Sequence, residues 1–232
     1  LQDMAGAMLG KRFCLFVPSG TMSNQLAIRI QTQPGQEVIV ESTSHIVRYE
    51  QGAAGALAGV QLHWVPGERG IITAEQVEAA IRPTDPHSIT TALICLENTH
   101  NAGGGTIYPL STIEKIRTVA VRHGIPMHLD GARLFNAVAA TTLPPTAYAQ
   151  HFETVSLCLS KGLGAPVGSL LLSNDPKLIE RARRFRRMYG GAMRQAGVLA
   201  AAGIYALERH VARLKTDHEH AKKLARLLQQ IP

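Results

Sequence analysis

The chain has 232 residues, enough to bury a full hydrophobic core as one large domain or two small ones. Its 45% apolar and 18% charged residues exclude a disordered chain, and no apolar run approaches the roughly 18 residues of a membrane-spanning helix. The net charge of +7 raises the question of nucleic acid.

Much of that excess sits in one run: Arg181, Arg183, Arg184, Arg186 and Arg187. Only Phe185 is interleaved with it and no nucleic-acid motif accompanies it, so it reads as a solvated or subunit-facing helix surface. No nucleic-acid partner is expected.

In chain order, short apolar runs alternate with helical patterns, as in an α/β domain with a mostly parallel sheet and helices on both faces. Strands are expected at Phe13–Val17, Val38–Val40, Val60–Val65, Ala92–Leu96, Met127–Leu129, Val155–Leu159 and Ser169–Leu172. Ser19-Gly20-Thr21 opens a helix through Asn24, Gln25 and Ile28. Thr73 to Gln76 and Ser111 to Glu114 each match a capping box, in which two side chains satisfy free amides at a helix start. Pro34-Gly35, Pro66-Gly67 and Gly103-Gly104-Gly105 mark turns. Beyond about Arg194 the pattern is purely helical. Leu207, Val211, Leu214, Ala221, Leu224 and Leu228 then form one apolar stripe on a single long helix, which needs something to cover it. The expected organisation is a large domain over residues 1–205 followed by a long helix over 206–232.

Cys14, Cys95 and Cys158 lie inside apolar runs, and the odd count with those settings reads as buried thiols in a reducing cytoplasm. The sequence starts at Leu1 and stops at Pro232 directly after a helical pattern, so a fragment lacking both ends is expected.

Candidate chemistry gathers at the carboxyl ends of the expected strands, where loops open toward ligands. One strand ends in Asp130-Gly131-Ala132-Arg133 and a later one in Ser160-Lys161. A lysine and a carboxylate placed so suit pyridoxal phosphate, which needs a lysine to hold it and an acid to keep its ring nitrogen protonated. The alternative is an Asp130 that caps a helix and a Lys161 at the surface. Ser19, Gly20 and Thr21 add an anion site at a helix start, suited to a phosphate. His45 and His100 each follow a strand; His45 is placed to stack on a planar ring, and either can serve as a base near neutral pH. No metal site is expected. The glycine run Gly103–Gly105 lacks the lysine of a nucleotide loop and reads as a flexible turn.

Together and in order, FVPSGTMSNQLAIR, HIVRYEQGA, ENTHNAGGGTIYPL, HLDGARLFNA, SLCLSKGLGAPVGSLL and RRMYGGAMRQAG resemble the low-specificity threonine aldolases from about Phe13 to the end. The resemblance implies the large domain of a fold-type I pyridoxal-phosphate enzyme that cleaves threonine and related β-hydroxy-amino acids to glycine and an aldehyde. It implies Lys161 as the cofactor lysine and Asp130 as the partner of the ring nitrogen. Arg133 would lie near the phenolic oxygen, and Gly20, Thr21 and Ser160 near the phosphate. His45 would stack on the ring and His100 would lie near the substrate hydroxyl. Arg194 would reach a phosphate or an adjoining subunit. It also implies a homotetramer. An aminotransferase, racemase or β-eliminating lyase of the same fold, and an inactive truncated relative, remain the competing readings.

Overall fold

The computed structural model describes residues 1–231 and has one seven-stranded sheet in the order β1-β7-β6-β5-β4-β2-β3. The elements run α1 (Gln2–Leu9), β1 (Phe13–Val17), α2 (Gly20–Gln31), β2 (Glu37–Glu41), α3 (His45–Arg48), a π-helical turn (Ala54–Ala58) and β3 (Gln61–Val65). They continue with α4 (Ala74–Ala80), β4 (Thr91–Glu97), α5 (Leu110–Arg122), β5 (Met127–Asp130), α6 (Leu134–Thr141) and α7 (Pro145–Ala149). The last are β6 (Thr154–Cys158), β7 (Ser169–Ser173), α8 (Pro176–Met188), α9 (Gly197–Arg209) and α10 (Leu214–Leu228). Six strands are mutually parallel, and β7 runs against its neighbours β1 and β6. All seven expected strands are present.

Successive strand residues point to opposite faces, and the core divides accordingly. Cys14, Phe16, Ile94, Leu96, Met127, Leu129, Val155 and Leu157 pack into the cluster covered by α1, α4 to α7 and α9. On the other face, Leu15, Val17 and Leu171 meet α2 and α8, while Leu93 and Cys95 meet Ile28 and the π turn. Under the middle of α2 that second face turns polar. His128, Asp130, Thr154 and Ser156 are buried there against Ser23, Asn24 and Gln25. This polar seam positions the site described below.

Three local expectations are corrected. Thr73 and Gln76 form their capping box, but Ser111 and Glu114 do not, because α5 begins one residue before Ser111 and is capped by backbone bonds to Pro109. The single helix after Arg194 is two, α9 and α10, separated by turns at His210–Arg213. The boundary expected at residue 205 falls inside α9, whose Ala206 and Leu207 are core residues; the core extends to Leu214. Of the expected stripe, Leu224 and Leu228 are more than half exposed. Pro232, the expected end of the second segment, lies outside the described residues.

The three cysteines are buried and free. Burial pushes the Cys14 thiol up to about 12, which makes it inert as a nucleophile at neutral pH. No helix among the described residues is long and apolar enough to cross a membrane.

Candidate active site

Because β1, β2, β4, β5 and β6 are parallel, their carboxyl ends share one edge of the sheet. Asp130 closes β5 and pairs in register with Glu97 of β4 and Ser156 of β6. Its side chain lies on the α2 face, where Oδ2 accepts from Asn24 Nδ2 at 2.7 Å and Oδ1 from the Ala132 amide at 3.1 Å. Two donors and 4% exposure hold the carboxyl as an acceptor.

Asn24 is oriented from three sides. Its Nδ2 also donates to Glu50 Oε1 at 2.8 Å, and its Oδ1 accepts from His128 Nε2–H, the two atoms 3.1 Å apart. Burial drives the His128 pKa down to about 4, so the ring is neutral, with Nδ1 accepting from Thr154 Oγ1 at 2.8 Å. Gln31 Nε2 donates to that same hydroxyl oxygen. Every polar side-chain atom of Asn24 and His128 in the seam is thus paired, as buried polar groups require, whereas Gln25 Oε1 and Gln31 Oε1 are buried without a partner.

His45 starts α3 and is half-buried. Its amide donates to Glu97 Oε2 at 2.7 Å, and its Nδ1 lies 2.8 Å from Glu50 Oε1. The hydrogen bond to Glu50 raises the ring's pKa; burial opposes it, the charge of Asp130 adds to it, and that of Lys161 subtracts. Protonation of this ring therefore favours the folded state. That contribution is complete below the ordinary value of 6.5 and is lost as pH rises through the higher folded value. One ligand-type atom each of His45, Glu50 and Asp130 lies within 4.8 Å of the others.

The remaining expected residues are placed as follows. Lys161 is half-buried in the loop after β6, close enough for its charge to act on His45. Ser160 beside it is exposed, with Oγ 3.4 Å from Cys158 Sγ. Ser19 caps α2 by accepting from the Met22 amide at 3.1 Å, and Gly20 and Thr21 form the first turn above it. Arg133 is half-buried at the start of α6 and lines a cleft of about 380 Å³ with Thr99, Asn136, His218 and Lys222. Arg194 is exposed in the segment after α8, in a hollow with Arg187 and Met193, and is not part of the Asp130 cluster.

His100 departs most from expectation. It is 0% exposed, with Nε2 3.0 Å from Glu41 Oε2 and Nδ1 accepting from the Gly103 amide at 3.1 Å. The ring is closed off by the backbone of Gly70, so it anchors the loop after β4 and has no open path to a ligand in this geometry. Burial pushes the Glu41 carboxyl up, but bonds from Thr43 and Ser42 and the charge of His100 outweigh that and leave it below the usual range. Gly70 has φ +84° and no room for a Cβ against the imidazole. Gly70→Ala is therefore expected to cost about 2–5 kcal/mol, from left-handed backbone strain plus overpacking, read as a lowered urea midpoint. An unchanged midpoint would show that the loop yields easily.

Asn24, Glu50, Glu97 and His128 are absent from the residues singled out in the sequence. Two signals were available: His128 and Asp130 alternate onto one strand face, and Asn24 lies four residues before the core residue Ile28 on α2.

The full chain, residues 1–232, matches the model of the β-eliminating lyase family. It is 43% identical to low-specificity L-threonine aldolase 1 of Arabidopsis thaliana over 237 residues, covering 100% of this chain and 65% of that protein. Against the low specificity L-threonine aldolase of Escherichia coli (strain K12) it is 40% identical, covering 99% of this chain and 68% of that one. The chain thus spans about two thirds of the length of these relatives. The structure of Leishmania major threonine aldolase shares the fold, with a TM-score of 0.86 at 24% identity over 98% of this chain and 66% of that one.

Proposed function

The chain belongs to the β-eliminating lyase family, and from that premise we propose that it binds pyridoxal phosphate and cleaves the Cα–Cβ bond of threonine and allo-threonine, giving glycine and acetaldehyde. The observation that carries the reading is the convergence of Asp130, His45 and Lys161 at one edge of the sheet. The aldolase relatives of 40–43% identity support it.

The residues present fit the cofactor. Asp130 is held as an acceptor-only carboxylate, the partner a protonated ring nitrogen requires. Beside the start of α2, Ser169 Oγ is buried without a hydrogen-bond partner, 3.6 Å from where a Cβ on Gly20 would stand. With the α2 amides and Thr21, that hydroxyl suits a phosphate. Lys161 would hold the cofactor covalently, and Ser160, Arg133 and Arg194 are the further polar groups assigned to it or to an adjoining subunit. When bound, the cofactor supplies an electron sink for the pair left at Cα.

The chain's own part is acid–base chemistry and orientation. His45, half-buried over the site, takes the proton of the substrate hydroxyl. The O–H bond breaks, its electron pair becomes the second bond of the departing carbonyl, and the Cα–Cβ bond opens. Lys161 would supply the proton for Cα. His45 is preferred to His100 as the base because His100 is wholly enclosed.

The same reading makes the protein a cytoplasmic homotetramer in threonine breakdown and glycine formation, with its large domain ending near the start of α10. Its free buried thiols fit that compartment. Exposed apolar residues such as Met188, Val198 and Tyr205 fit a subunit contact. The test is a substrate panel with added cofactor. Acetaldehyde and glycine from threonine and allo-threonine are expected. Amino transfer to a keto acid without acetaldehyde would overturn the aldolase reading in favour of another enzyme of this fold.

A further inference from the structure

Glu50 is not among the site residues expected from the sequence, yet its carboxylate joins His45 to α2. It lies just past α3, and its side chain is 0% exposed. Three donors meet it: His45 Nδ1 at 2.8 Å and Asn24 Nδ2 at 2.8 Å on Oε1, and Gln25 Nε2 at 2.6 Å on Oε2. Three donors are what a carboxylate, which only accepts, can serve. A purely structural tie between α2 and the loop after α3 would be complete with Asn24 and Gln25 alone. The bond to the imidazole is additional, and it has a chemical consequence.

We infer that Glu50 is the positioning residue of the base: it fixes neutral His45 with its proton on Nδ1, so that the lone pair for substrate is on Nε2. Through Asn24, which bridges it to Asp130, the orientation of His45 is tied to the acid that would pair with the cofactor's ring nitrogen. This rests on the reading of His45 as base given above. The two ring nitrogens are chemically distinct, and the partner of one decides the state of the other. The amide at the head of α3 is separately clamped by Glu97, so the ring is held from both its backbone and Nδ1. Once Nε2 takes the substrate proton, the imidazolium is paired at Nδ1 with a carboxylate that is already in place and needs no reorganisation.

The charged groups acting on the ring are Glu50 beyond α3, Asp130 of β5 and Lys161 after β6, with Glu97 of β4 at the backbone. Removing Glu50's charge and hydrogen bond takes away the largest influence on the ring and leaves Asp130, which favours its charged form, and Lys161, which opposes it. Its own effect is thus separable.

The test is proton–nitrogen NMR of ¹⁵N-histidine-labelled protein without cofactor, recorded across pH for wild type and Glu50→Gln. Neutral wild-type His45 is expected as the Nδ1–H tautomer, and its midpoint is expected to fall by about one pH unit or more in Glu50→Gln. An Nε2–H tautomer in wild type, or an unmoved midpoint in a folded variant, overturns the inference. If Glu50→Gln does not fold, the wild-type tautomer alone decides. The base reading fails separately: threonine cleavage that survives His45→Phe sinks that role, whereas it leaves the tautomer and midpoint where Glu50 sets them.

Discussion

Lys161→Ala is expected to fold like the wild type and to lose turnover of threonine by at least about 10³-fold, because a tethered amine at the reacting centre cannot be replaced by amines in solution. Lys161 is half-buried in the loop after β6 and forms no ion pair among the described residues. Substitutions at such positions change stability by roughly half a kcal/mol. Loss of activity with an unchanged melting curve is therefore the signature of a chemical role. The neighbouring charge predicts a second effect: without Lys161, His45 holds its proton more tightly, because the ammonium that disfavours imidazolium is gone. Turnover near the wild-type rate in the variant would remove Lys161 from the mechanism.

Asp130→Asn is expected to be the second most damaging change, with a loss of about 10²–10⁴-fold in kcat/KM. The amide has nearly the shape of the carboxylate but carries no charge, so it cannot stabilise a protonated ring nitrogen. One of its two ends must also present a donor to Asn24 Nδ2 or the Ala132 amide, both of which already donate. The electrostatic consequences reach two neighbours. Burial, and then the charge of Asp130, raise the Glu97 carboxyl, so that carboxyl should ionise at lower pH in Asp130→Asn. His45 should likewise titrate lower, since Asp130 supports its charged form. Both groups have folded values above their ordinary ones, so each stabilises the protonated side and loses that contribution as pH rises. The variant should therefore show a flatter stability profile through the weakly acidic range, measurable as denaturation midpoints at several pH values. A profile identical to wild type would mean that Asp130 is not coupled to either group.

The sheet was legible because its strands are short apolar runs bounded by turns, and both faces are covered. Ile94 and Leu96 serve one face and Leu93 and Cys95 the other, which writes a continuous apolar run. The helix after Arg194 was misread for a related reason. Leu207, Val211 and Leu214 keep a helical spacing across His210–Arg213, so periodicity alone does not register the turns between α9 and α10. The false capping box at Ser111 arose because Pro109 is already the N-cap of the helix, its carbonyl accepting from the Thr112 and Ile113 amides, so Ser111 lies inside the first turn.

Within the site, Asp130 and Lys161 were legible because chain order alone puts each at the end of a strand. The residues that orient them were not. Asn24 and Gln25 lie 106 and 105 positions before Asp130, and only the packing of α2 over β5 and β6 brings Asn24 to it at 2.7 Å. A buried polar helix face reads in sequence as an exposed one. His100 shows the converse. It follows a strand as His45 does, but Gly70, 30 residues upstream, closes over it.

Borohydride reduction of the protein incubated with pyridoxal phosphate, followed by peptide mass mapping, tests the central claim most directly. The account predicts that the reduced cofactor is found on Lys161 and that Lys161→Ala carries none at that peptide. Exclusive labelling of another lysine, or none in a folded chain saturated with cofactor, would contradict it.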